Sequence, residues 1–444
     1  MHNSLAGTVG PYYIFVDIPA YHRVDQSRLH SQVSSQHPLS LIDNPTQPYN
    51  PLILKAEYSK SVMAQVHGSC DSRFKKVERL LQSYIDSGEE LGASFVVNIN
   101  GENVIDIWGG YADKDRTRLW ERDTITTVWS TTKCITSLAA LILIDRGLLS
   151  PYEKVSKYWP EFATNGKQDV EVRHLLSHSS GLSGWEAPVT LSDVFDVPKA
   201  TALLAEQAPW WTPGTASGYH AFTMGHLVGE LVRRVTGKTL GQFISEDMAG
   251  PLAADFQLGA QEKDWPRVAE TVPPPPMDRL PMLEPTSVAV RTFRNAVPDA
   301  TAANTNAWKK TEMGAANGHG NARSVAKLLS TVSLSGQVDG KQLLSQKTID
   351  LIFEEQFHGV DLVMGTPVRL GMGFAMVAKD TMCGWLPEGR ICGWGGWGGS
   401  IGLIDLDRRM TISYVMNKME NSVEMGNYRC QAYVKAVYEA LGNL

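Results

Sequence analysis

Ser130 and Lys133 stand three residues apart in the stretch "VWSTTKCITSLAALILIDRG" (128–147). One is an alcohol that can become a nucleophile, the other an amine that can take its proton. On a helix, positions i and i+3 share a face. The run after Lys133 is apolar enough to be buried, and burial disfavours an ammonium, lowering the amine from its usual value of about 10.4. The helix N-terminus would also offer free N–H groups and a partial positive charge where an oxyanion forms. The simpler alternative is a capping serine followed by a solvated amine. The spacing itself does not discriminate, because it occurs three times, at Ser72/Lys75, Ser130/Lys133 and Ser324/Lys327. Only the middle copy lies between a strand-like stretch and a strongly apolar helix. The other two open amphipathic helices, where a capping serine and an exposed lysine suffice.

Two further stretches could complete such a site. In "PWWTPGTASGYHAFTMGHLVGELVRRVTG" (209–237), Tyr219 follows a Gly/Ser-rich turn and precedes an amphipathic helix. Its phenol could project into a cleft and pass a proton between serine and leaving group; as one of 14 tyrosines, it could equally well only pack. In "ICGWGGWGGSIGLIDLD" (391–407), the glycines from Gly393 to Gly399 remove side chains at the entry to a strand. Such a strand could supply the second N–H of an oxyanion hole, or be a bulge without a ligand.

These three pieces, in this order, resemble the serine β-lactamase and penicillin-binding-protein superfamily, with its S-x-x-K, Y-x-N and K-T-G sets. "HLLSHSSGLSGW" (174–185), "PGTASGYHAFTMGHLVGELVRRVTG" and "AANGHGNARSVAKL" resemble its class C-like branch, the family VIII carboxylesterases and related transesterases. The likeness runs from about residue 67 to 440. It implies an α/β (α+β) β-lactamase/transpeptidase-like fold, an antiparallel sheet flanked by helices with an inserted helical lobe. It implies Ser130 as acyl acceptor, Lys133 with Tyr219 as the activating base pair, and the N–H groups of Ser130 and Trp397 as the oxyanion hole. Trp394-Gly395-Gly396 falls where the lactamases have K-T-G, matching the W-G-G or H-G-G of the esterase branch; Trp397-Gly398-Gly399 repeats the pattern three residues on.

Two departures bear on the substrate. Ala221 replaces the asparagine of Y-x-N, and Trp394 replaces the lysine of K-T-G. The side-chain amide for a substrate amide and the cation for a β-lactam or peptide carboxylate are both lost. An aromatic wall suits an uncharged acyl or alcohol group. Trp185, Trp210, Trp211 and His220 are further candidates for the pocket lining, each with packing as its alternative, and His319 caps or braces a loop. The chemistry requires no metal and no organic cofactor. The expected reaction is transfer of an acyl group from a small-molecule ester or thioester to Ser130 and on to water, with an alcohol acceptor as the alternative.

The elements that must position these groups follow from pattern. Residues 1–62, rich in Ser, Gln, His, Pro and Asn without sustained period, read as an irregular arm. Phe74, Val77, Leu81 and Tyr84 recur at helical spacing, with Leu80 and Ile85 beside them. "ASFVVNI" and "NVIDIWGG" flank Asn100-Gly101, a two-residue hairpin turn. Strand texture returns in "LGMGFAMVAK", "SIGLIDLD" and "MTISYVMNKM", and a helix runs from about Asn427 to Leu441. The expected organisation is a sheet domain over 63–150 and 311–444. A mostly helical lobe over 151–310 carries a Pro-rich loop that includes Pro273 to Pro276.

Bulk properties narrow the class. With 444 residues, 43% hydrophobic and 20% charged, the composition is that of a soluble globular protein. A net charge of −6 gives no encouragement to a nucleic-acid or anionic-membrane partner, both of which need a concentrated basic surface. The five scattered cysteines form no C-x-x-C pair, which points to reduced thiols; Cys134 reads as a packed small hydrophobe. "YYIFV" lacks the lead-in and cleavage site of a signal peptide, so cytoplasm is the expected compartment. Nothing in the sequence speaks to oligomeric state.

Overall fold

Asn100 and Gly101 both take positive φ, 54° and 93°, and the hairpin they close pairs Gly92–Ile99 with Glu102–Gly110. The Asn98 side chain accepts the Gly101 N–H at 3.1 Å, an interaction that favours the tight turn. The hairpin sits inside a nine-stranded antiparallel sheet. In spatial order its strands are His67–Cys70, Glu102–Gly110, Gly92–Ile99, Met410–Met416, Ile401–Asp405, Ile391–Gly395, Ala375–Met376, Pro367–Leu370 and Phe357–Val360. This computed structural model describes residues 64–276, 284–295 and 298–442. The arm expected over 1–62 and part of the Pro-rich loop lie outside the described residues.

Strand residues alternate between faces, and the two faces are covered by different helices. Phe95 and Tyr414, opposite each other in register, meet Tyr433 of the helix Tyr428–Ala440. That helix packs against Lys75–Ser87, which buries Val77, Leu81 and Ile85 and stops at Gly88, φ 76°. Ser94 and Thr411 face the other way and bond Ala322 and Ser333 of the helix Ala322–Ser333. Below that layer lies Thr132–Asp145, buried from Thr132 to Leu143. A helix apolar on all sides belongs in a core. It touches Thr223–Thr236 as well as Ala322–Ser333.

None of the nine strands falls between residues 151 and 310, where the described residues are mainly short helices. A small second sheet joins Thr126–Thr127, Gly318–Gly320 and Phe256–Leu258, tying this region to the chain that enters the Ser130 turn. "LGMGFAMVAK" is not one strand. Gly371 and Gly373 (φ 84°) turn the chain, so that Leu370 pairs with Ala375 in a tight hairpin. The two extra Ser-x-x-Lys copies differ in detail from expectation. Asp71 and Asn321 cap those helices, with Ser324 bonding back to the Asn321 N–H, and Lys75 and Lys327 pair with Glu78 and Asp339.

No cysteine is disulfide-bonded, and all but Cys70 are buried. Among the described residues no helix is long and apolar enough to cross a membrane.

Gly225, on the inner face of Thr223–Thr236, lies against the Gly314-Ala315 backbone. A Cβ added there would be 2.3 Å from the Ala315 nitrogen. Gly225→Ala is therefore expected to lower stability by about 1–3 kcal/mol, the usual scale of overpacking, read as a drop in the thermal midpoint.

Candidate active site

The chain enters the site through a strained turn. Trp129 takes φ 48°, in the left-handed region that non-glycine residues rarely occupy. A 3-10 turn over Trp129–Thr131 then leads into the helix Thr132–Asp145, so Ser130 stands just before the helix proper and not as its capping residue. Three bonds hold this turn. Thr132 Oγ1 donates to the Trp129 carbonyl and accepts the Gly318 N–H at 2.9 Å, and Ser400 Oγ donates to the Val128 carbonyl at 2.8 Å. Ser130 itself is half-buried.

Lys133 lies one turn inside, at 1% exposure. Its Nζ is 3.0 Å from Ser130 Oγ, 2.8 Å from the Ala221 carbonyl oxygen and 2.9 Å from the Ala315 carbonyl oxygen. No carboxylate pairs with it among the described residues. Burial holds the amine well below its ordinary range. The two carbonyls can only accept, so they take two N–H bonds. In the neutral amine this leaves the lone pair directed at Ser130 Oγ, the arrangement a general base requires.

Tyr219 meets the serine from the other side, its hydroxyl donating to Ser130 Oγ at 2.6 Å. The Lys133 Nζ sits 4.6 Å from the centre of the same ring. The Trp394 indole stacks on Tyr219 at 5.4 Å and 27°, and His178 meets both rings at 5.1 and 5.4 Å. Burial keeps His178 well below its ordinary range and takes His220 down to about 3, so the imidazoles around the amine are neutral.

The glycine-rich strand closes the site. Ile391–Gly395 carries Trp394, and the next residue, Gly396, runs so close to the Ser130 turn that a Cβ would be 2.4 Å from the Val128 carbonyl oxygen. Gly395, Gly396 and Trp397 are half-buried, and the Trp397 ring meets Trp129 at 5.0 Å. Of the two W-G-G copies, the first brings its tryptophan onto Tyr219. In the second, Gly398 and Gly399 take φ 93° and 118° and pack on Met419 and Asn427.

Comparison with known proteins gives the family. The Beta-lactamase family pattern matches residues 77–432. The chain belongs to the Beta-lactamase family. It is 31% identical over 379 residues to "Esterase/beta-lactamase LipL" of Mycobacterium tuberculosis (strain ATCC 25618 / H37Rv), covering 82% of this chain and 86% of that one. The crystal structure of a family VIII carboxylesterase superposes with a TM-score of 0.79 at 36% identity, over 85% of this chain and all of the other. A penicillin-binding-protein homologue from Caulobacter crescentus gives 0.78 at 34% identity, over 85% of this chain and 100% of that one. Membership of the Beta-lactamase family, with these esterase-named relatives, makes the protein an enzyme of the serine-hydrolase kind.

The remaining candidates fall less uniformly around this Beta-lactamase-family site. Trp185 is buried, its indole N–H on the Ala200 carbonyl and its ring on His226, which places it inside the helical packing. His220 is fully buried with both ring nitrogens engaged, by Ser180 Oγ at 2.7 Å and the Gly218 carbonyl at 2.6 Å; it braces the Tyr219 loop and has no nitrogen left for a substrate. Trp210 is half-buried under the Arg291 guanidinium, and Trp211 lies against Gly218. His319 bridges Asn317 and Thr127 beneath the turn. Sequence reasoning missed the carbonyls of Ala221 and Ala315, which carry no side-chain signal. It also missed Asn317, whose side chain bonds the backbone at Met313, Trp308 and Thr311 and so shapes the loop that presents Ala315. Among the described residues no group of three His, Cys, Asp or Glu could hold a metal ion.

If Lys133 acts as a neutral base, kcat/KM for an ester should fall on the acid side as one proton is taken up. The midpoint should lie well below the usual lysine range and be absent from the pH profile of Lys133→Met. Lys133→Arg, which cannot give up its proton, should lose roughly 10²-fold or more.

Proposed function

We propose that this protein is a carboxylic-ester hydrolase working through an acyl-enzyme on Ser130. The observation that carries the reading is the pair of contacts on one oxygen: the Lys133 amine at 3.0 Å and the Tyr219 hydroxyl at 2.6 Å. The Ser130 oxygen attacks the ester carbonyl carbon while its proton passes to Lys133 Nζ. The N–H groups of Ser130 and Trp397 hold the oxyanion. Tyr219 gives its proton to the departing alkoxide and recovers one from Lys133. Water then attacks the acyl-enzyme with the amine again as base, releasing the acid and restoring Ser130.

The surroundings support an uncharged substrate. Where the wider superfamily has a lysine for a substrate carboxylate there is Trp394, and the Y-x-N asparagine is Ala221. Trp394, Gly395, Gly396 and Trp397 are the residues we assign to the acyl or alcohol group. These losses set ester cleavage ahead of β-lactam or D-amino-acid peptide cleavage, although the name of the M. tuberculosis relative covers both esterase and β-lactamase. A thioester presents the same carbonyl carbon and falls within the proposal. An alcohol bound in place of water at the second step would make the same machinery a transacylase. The unpaired cysteines fit a reducing compartment, the cytoplasm.

Fluorophosphonate treatment followed by intact-mass measurement and peptide mapping should place one adduct, on Ser130, and Ser130→Ala should abolish both labelling and turnover of a short-chain nitrophenyl ester. Label on another residue, or undiminished turnover, would overturn the assignment. Tyr219→Phe should slow acylation by roughly 10²-fold.

A further inference from the structure

The loop carrying Tyr219 is extended, and the groups along it alternate between two anchors, as the period of an extended chain dictates. The N–H groups of Gly218 and His220 point to one side, onto the His178 carbonyl at 3.0 Å and His178 Nδ1 at 3.2 Å. On the other side lies a single carboxyl group, Asp361, fully buried and more than 140 residues further along the chain. Its Oδ1 accepts the Tyr219 N–H at 3.0 Å, and also the N–H groups of Val363 and Met364, both at 2.9 Å. Its Oδ2 accepts the Ser217 hydroxyl at 2.6 Å, and the Ser217 carbonyl takes the Leu362 N–H at 2.8 Å.

We propose that Asp361 is a positioning residue for the reaction: through Ser217 and the Tyr219 N–H it fixes where the Tyr219 hydroxyl stands over Ser130. Three features support this. Oxygens that accept several N–H and O–H bonds at once are held rigidly, and a buried carboxyl left without those partners is costly. The four groups come from two segments, 217–219 and 363–364, which no strand pairing of the sheet joins; the carboxyl ties them together, beside one backbone bond from the Leu362 N–H to the Ser217 carbonyl. Finally, Gly218 cannot carry a side chain, since a Cβ would lie 2.5 Å from the Trp211 ring, so the loop between the anchors has little room to adopt another path. A shift of about 1 Å in a proton-transfer group costs on the order of 10²-fold in rate, which sets the scale for losing the tether.

The proposal rests on Tyr219 acting on Ser130 as described above, and a double-mutant cycle separates the two. Asp361→Ala should lower kcat for a nitrophenyl ester about 10-fold to 100-fold and leave KM within about 3-fold. Asp361→Asn, whose carbonyl oxygen can still accept the three N–H groups, should recover most of the rate. In a Tyr219→Phe background Asp361→Ala should cost no more than about 2-fold, because residues acting as one unit are not additive. The rate of fluorophosphonate labelling at Ser130 should follow the same pattern, so the cycle can be read even on a poor ester. Losses that multiply in the double variant, or an Asp361→Ala enzyme as fast as wild type, would overturn the role of Asp361 alone. A Tyr219→Phe enzyme as fast as wild type would remove Tyr219 from the proposed function and this proposal with it. Should Asp361→Ala fail to fold, Ser217→Ala takes its place in the cycle, with an expected loss of several-fold in kcat.

Discussion

An amine at 1% exposure, with no carboxylate against it among the described residues, is the constraint around which this site is built. A buried ammonium is expensive to hold without a paired anion. The fold provides instead what a neutral amine needs: two carbonyl acceptors and one hydroxyl. The acceptors come from separate places, Ala221 just after the Tyr219 loop and Ala315 from the turn beyond Trp308. They converge because the Thr223–Thr236 helix approaches the Gly314-Ala315 backbone at a glycine. The position of Lys133 is thus set by backbone packing on two sides and by its own helix on the third.

The same economy of charge extends outward. Beyond its hydrogen-bond partners the amine faces the Tyr219 phenol, on which an indole and a neutral imidazole pack, and His178 bonds through a ring nitrogen that accepts, which places its proton on the other nitrogen. Introducing a charge into this shell would alter the lysine directly, since the buried protein interior around Lys133 screens charges weakly. The neighbouring cysteine behaves likewise: burial pushes the Cys134 thiol up to about 12, so it sits beside Lys133 as a small hydrophobe and not as a competing nucleophile.

Much of this was legible before any coordinates. The serine and lysine were marked by the apolar helix behind them, Tyr219 by the turn before its helix, and the sheet by Asn100-Gly101 and the alternating strands. What stayed hidden shares a physical character. Backbone carbonyls such as those of Ala221 and Ala315 have no residue signature. Asp361 sits in a loop whose sequence says nothing about its four donors, because those donors are main-chain groups and a serine far away. The hairpin inside "LGMGFAMVAK" was missed because hydrophobicity suggested one strand while two glycines decided the turn. His220 and Trp185 entered the pocket list by residue type, and only burial and the pairing of their nitrogens showed them to be braces.

The replacement of a cationic residue by Trp394 has two consequences that need to be considered together. It removes a partner for a substrate carboxylate, and it also changes the electrostatics of the base. A lysine at 394 would stand one ring away from Lys133, across Tyr219, and a second positive charge at that range depresses an ammonium. In this chain that help is absent, and burial is what holds Lys133 below its ordinary range. The uncharged indole instead stacks on the ring of Tyr219 that Lys133 faces. In the function proposed above, one side chain thus bears on both substrate preference and base strength. A chain that trades the cation for an aromatic ring must keep its lysine dry to keep its chemistry, and a buried lysine without a carboxylate partner among the described residues, facing a Tyr219 ring packed by Trp394 and His178, is the form that requirement takes here.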